Sequence, residues 1–91
     1  MTDIYNPTVS LSGKYTIQLA SFDDEREAQT FADGFIASGY DAIINDVEIP
    51  NKGSWYRVSI GLFSTLNDAK DYLEKEKKFF QGKDYLIKKF K

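Results

Sequence analysis

Histidine and cysteine are both absent from the 91 residues. Their absence removes the commonest general base, the thiolate nucleophile, every His- or Cys-liganded metal site and any disulfide framework. It leaves the compartment open, because cysteine-free domains occur inside and outside the cell. Glycine is sparse and dispersed: Gly13, Gly34, Gly39, Gly53, Gly61 and Gly82 stand singly, so there is no glycine-rich phosphate loop. No apolar run approaches the ~20 residues of a membrane span, and no charged segment followed by an apolar one opens the chain. Carboxylates number 14, yet the two most regularly alternating stretches, Lys14–Ala20 and Ser54–Gly61, contain none. They gather instead at Asp23, Asp24, Glu25, Glu27, Asp68 and Asp71, where helix capping and solvation account for them. A glycosidase needs two carboxylates about 5–10 Å apart across a cleft, and these positions offer no such pair. The chain is therefore read as non-catalytic, with no metal and no cofactor.

What the chain does have is aromatic side chains, at 15% of residues, and a repeated phrase. Tyr15-Thr-Ile-Gln-Leu-Ala-Ser-Phe22 returns forty-one residues later as Tyr56-Arg-Val-Ser-Ile-Gly-Leu-Phe63, and Ala28 and Ala69 each follow six residues beyond the phenylalanine. Two copies are too few for a solenoid, so they indicate one pseudo-symmetric domain. A chain this short buries a modest core, to which large aromatic side chains contribute the most area. The formal charge of -2 is unevenly spread: residues 1–50 hold two basic and nine acidic groups, residues 51–91 ten basic and five acidic. A near-neutral total argues against nucleic acid, whose binders carry a clustered positive excess.

Tyr15, Ile17 and Leu19 alternate with Thr16, Gln18 and Ala20, the period of a half-buried strand over Lys14–Ala20. Ser54–Gly61 does the same, with Tyr56, Val58 and Ile60 opposed to Trp55, Arg57, Ser59 and Gly61. Between them Ala28, Phe31, Ala32, Phe35 and Ile36 fall at helical spacing over Asp24–Ser38, with Asp23 as N-cap and Gly39 past the end. A second helix is predicted over Thr65–Phe80, capped by Ser64, with Leu66, Ala69, Tyr72, Leu73 and Phe79 or Phe80 on its buried stripe and Gly82 ending it. Asp41–Ile49 and Lys83–Phe90 supply a strand after each helix, as charged edge strands. Residues 1–13 read as a linker, with residues 14–91 as the domain, so the chain is expected to be a piece of a larger protein. The order is βαββαβ. Right-handed crossovers put both helices on one face, giving an α+β, ferredoxin-like four-stranded antiparallel sheet of order 4-1-3-2. The other face is left to solvent or a partner and is expected to show Thr16, Gln18 and Ala20 beside Trp55, Arg57 and Ser59.

An aromatic plane at Trp55 flanked by Arg57, Gln18 and Ser59 offers stacking and directional hydrogen bonds, a combination suited to a sugar chain. At these residues the chain closely resembles the SPOR domain, the sporulation-related repeat of bacterial cell-division and cell-wall proteins, over residues 14–90. The resemblance rests on the aromatic-x-aliphatic-Gln-aliphatic-x-Ser-Phe strand of the first copy paired with Arg57-Val-x-x-Gly-x-Phe63 in the second. It implies the same βαββαβ sheet and binding of peptidoglycan glycan strands stripped of their stem peptides, which concentrate at division septa. It also implies that Gln18 and Ser21 hydrogen-bond the sugars, that Arg57 opens the third-strand contact, and that an aromatic on the last strand falls at Tyr85 or Leu86. With Leu86 there, the aromatic platform passes to Trp55. Thr16 and Ser59 complete the expected glycan-binding set. By the same resemblance the domain is placed in the cell envelope, periplasm or wall, as a monomer without membrane contact that localises a larger protein.

Two other functions share this topology. RNA-recognition modules stack bases on the central strands, but Trp55-Tyr-Arg-Val-Ser-Ile-Gly61 lacks their Lys/Arg-Gly-Phe/Tyr-Gly/Ala-Phe-Val-x-Phe/Tyr pattern. A protein-docking domain using the open sheet face is the other alternative.

Overall fold

The computed structural model describes residues 13–90, so all of the linker expected over residues 1–13 except Gly13 lies outside the described residues. The elements are β1 (Tyr15–Phe22), α1 (Glu25–Ala37), β2 (Ala42–Ile49), β3 (Gly53–Phe63), α2 (Leu66–Lys75), a helical turn α3 (Lys77–Phe80) and β4 (Leu86–Lys89). The strands form one sheet of order β2-β3-β1-β4 with every neighbour antiparallel. Read from the other edge, this is the order 4-1-3-2 expected from two right-handed crossovers. The two copies of the repeat, β1 and β3, lie side by side at its centre.

Each helix starts one residue later than its pattern suggests, because the capping oxygen decides the start. Asp24 rather than Asp23 is the N-cap of α1, its carboxylate accepting from the Arg26 N–H at 2.9 Å. Thr65 rather than Ser64 caps α2, accepting from the Asp68 N–H at 3.1 Å. The second helix is also not continuous. It breaks at Glu76 (φ -102°, ψ 28°), and the break re-aims two adjacent phenylalanines. Phe80 enters the core, whereas Phe79 stacks on Tyr40 with ring centroids 3.8 Å apart.

The core lies between the sheet and the helices in two adjoining parts. Ala28 and Ala32 of α1 meet Val58 and Ala42; Phe80 meets Ile17 and Ile60, with Tyr72 and Leu73 of α2 against them. The repeated alanines, Ala28 and Ala69, are both wholly buried. A methyl group there lets each helix approach the sheet closely.

Both central strands depart from simple alternation. Leu19 and Phe22 are three residues apart, as are Ile60 and Phe63, yet all four pack on the helix side. An uninterrupted strand cannot do this, because its side chains change face at every residue. The β1–β3 register shifts by one between Gln18 and Ala20 and again between Tyr15 and Ile17, so an extra residue is accommodated each time. At the second shift Gly61 takes φ 77°, and a Cβ built on it would stand 2.6 Å from the Phe63 ring. Only glycine fits there without displacement.

Candidate functional site

The first bulge redraws the uncovered face. Residues directly opposed on antiparallel strands share a face, and Ala20 stands opposite Val58, a wholly buried core residue. Ala20, expected on the open face by alternation, is thus on the covered one. Ser21 is carried the other way: it stands opposite Arg57 and is exposed.

Register places the rest. Gln18 opposes Ser59 on β3 and Leu86 on β4, and Thr16 opposes Lys88. Across the other seam Ile43 opposes Ser59, Asn45 opposes Arg57 and Val47 opposes Trp55. The open face therefore holds Thr16, Gln18 and Ser21 at its centre with Trp55, Arg57 and Ser59, flanked by Asn45 and Val47 on one edge and Leu86 and Lys88 on the other. Leu86, 49% exposed, is the fourth-strand residue on this face, because the Tyr85 ring turns away to pack on Phe80 at 5.6 Å.

A hollow of about 400 Å³ opens on this face. Four of the residues expected from sequence line it together: Thr16, Gln18, Arg57 and Ser59. Thr16 and Ser59 are buried, which makes them its floor. The Thr16 hydroxyl is already committed within the fold, donating to Gly61 O at 2.6 Å and lying 3.2 Å from Ile60 O. Gln18 and Arg57 are half-buried and line the hollow. Trp55, Ser21 and Leu86 belong to the face but not to the lining. The Trp55 indole is half-buried beside Val47, and its Nε1–H is shielded with no acceptor among the described residues.

Sequence reasoning missed Asn45, Val47 and Lys88, which also line the hollow. For the first two the signal was present. The Lys52 N–H closes a turn on Ile49 O at 2.9 Å, with Asn51 at φ 67° after Pro50, and Ile49 then pairs with Gly53. Counting back from that turn gives Asn45 opposite Arg57. Lys88 has no such local anchor, because β4 pairs with β1 across most of the chain. A larger hollow of about 500 Å³ lies among α2, α3 and the approach to β4, with Lys70, Glu74 and Lys83 at its wall. It contains none of the open-face residues.

Hydrogen-bonding amides, a guanidinium and an ammonium over a hydroxyl-bearing floor can hold a polar, elongated ligand laid across the strands. Comparison with known proteins gives this arrangement a context. The sequence model of the SPOR domain matches residues 11–82. A solved structure described as the peptidoglycan binding domain of the B. subtilis cell wall lytic enzyme CwlC is similar to this chain at 29% identity, with a TM-score of 0.58, over 88% of this chain and 92% of that one. Comparison with curated proteins yields no match.

Proposed function

This chain belongs to the SPOR domain family, and from that premise we propose that it is a non-catalytic module that binds peptidoglycan, holding glycan strands that have lost their stem peptides. The observation that carries the proposal is the open-face hollow, lined by half-buried Gln18 and Arg57 together with the buried Thr16 and Ser59. A glycan presents hydroxyl and acetamido groups at regular intervals along a ribbon, and a half-buried amide can both donate to and accept from them. In this reading Gln18 and Ser21 hydrogen-bond the sugars and Arg57 donates from β3. Trp55 offers an aromatic surface at one end of the face and Leu86 an apolar contact at the other. Ser59 and Thr16 shape the floor, Thr16 through packing because its hydroxyl proton is already used.

The neighbouring structure is named for peptidoglycan binding, which supports the ligand class. Among the described residues no helix is long and apolar enough to cross a membrane. We place the module at residues 14–91 behind a linker, acting as a monomer that targets a larger envelope protein to the septum or wall.

Co-sedimentation with amidase-treated sacculi tests the function directly. The wild-type domain is expected to pellet, and Gln18→Ala to bind at least ~10-fold more weakly, the worth of one or two hydrogen bonds in a partly dry site. Trp55→Ala is expected to weaken binding as well. Failure of the wild type to pellet overturns the function, whereas equal retention of both variants overturns the site.

A further inference from the structure

The strands keep their two carboxylates off the open face. Asp46 and Glu48 of β2 stand opposite Tyr56 and Ser54, away from the hollow, and Glu48 accepts from the Ser54 hydroxyl at 3.0 Å. On the open side Arg57 and Lys88 line the hollow, and among the described residues no carboxylate does. Lys89 also borders it, but its ammonium lies over the Tyr15 ring, 5.7 Å from the centroid. Arg57 and Lys88 are both half-buried, and among the described residues neither has an ion-pair partner. Two cations converging on one hollow without an anion are poorly placed for stability, since they repel each other and lose hydration. The arrangement makes sense when the missing anion comes with the ligand.

Resting on the peptidoglycan reading above, we infer that Arg57 and Lys88 recognise a carboxylate on the glycan itself: the lactyl carboxylate that a muramic sugar carries once its peptide is gone. With the stem peptide attached, that carbon is a neutral amide, so the cations distinguish a stripped strand from an intact one by charge. The side-chain chemistry suits the task. Guanidinium can grip a carboxylate through two parallel hydrogen bonds, and an ammonium adds a point charge. Val47 and Phe90 in the wall restrict water and strengthen the interaction. Arg57 sits on β3 and Lys88 on β4, with β1 between them. The pair thus spans two strand spacings of roughly 4.8 Å each, a reach that can serve one carboxylate or two successive ones. Lys88 lies beyond residues 11–82, so this cation is a feature of the chain outside the span matched by the family.

The test uses stripped glycan strands and the same strands with their carboxylates capped as neutral methylamides, titrated against the full chain with tryptophan fluorescence or calorimetry as the readout. Wild-type protein is expected to bind the capped strands about 10-fold more weakly, and to lose this preference at high salt. The Arg57→Gln/Lys88→Gln double variant is expected to bind both strands alike. Equal wild-type affinity for capped and uncapped strands overturns the inference while leaving glycan binding intact, and that arm needs no variant to fold. Binding of intact, peptide-bearing strands as tight as that of stripped ones also overturns it, since the attraction then comes from anions elsewhere on the polymer. No binding to any strand overturns the glycan reading itself.

Discussion

Gly61 shows how one residue fixes the geometry around it. At φ 77° an L side chain is strained by about 1–3 kcal/mol, and here a Cβ would also meet the Phe63 ring at 2.6 Å. Gly61→Ala is expected to destabilise the domain by about 2 kcal/mol or more, read as a lower urea midpoint with little change in slope. The neighbouring Thr16 makes the complementary point. A threonine in a strand reads as a candidate ligand contact, yet its hydroxyl donates to Gly61 O and so holds the bulge. Gln18 is the opposite case. Its half-buried amide lines the hollow and has no such commitment among the described residues.

At the scale of elements, the junction between α2 and α3 couples the end of the second helix to the chain leaving the first. The Tyr40 hydroxyl donates to Glu76 Oε1 at 3.0 Å. Burial holds the Tyr40 phenol above its ordinary pKa, with the Glu76 hydrogen bond and charge adding to it. Burial does the same for Tyr72, assisted by Glu76 and Asp41. Both phenols therefore keep their protons longer in the folded state than in the unfolded chain. Their contribution to stability is complete below the unfolded value near ~10 and is lost as pH rises through the higher folded values. Chemical denaturation across this alkaline range is expected to show a falling midpoint, with a shallower fall in Tyr72→Phe. The strands carry their own lesson. The three-residue steps from Leu19 to Phe22 and from Ile60 to Phe63 break period two, but pairing with the neighbouring strand fixes where each bulge falls, and the shift between Gln18 and Ala20 is what carries Ser21 to the open face and Ala20 away from it.

Across the whole molecule the two core parts are not independent, because Phe35 packs against both. Its ring meets Phe31 at 5.0 Å and Phe79 at 5.6 Å, joining α1 to α3. Phe35→Ala is expected to cost roughly 3 kcal/mol and to lower amide-exchange protection in β2 and β4 together. Loss confined to one edge of the sheet would instead mean that the halves unfold separately. The element order, the strand order, the helix-covered face and most of the core follow from alternation, helical spacing and crossover handedness, all of which are local or chiral rules. So does the presence of Gln18, Arg57 and Ser59 on the opposite face. Only the tertiary structure decided that Ala20 turns inward, that Thr16 and Ser59 are a buried floor, that Leu86 rather than Tyr85 looks out, and that Lys88 closes from the far edge on the hollow that Asn45 borders. These facts depend on register between strands distant in sequence. A shift of one residue there reverses the face of everything beyond it.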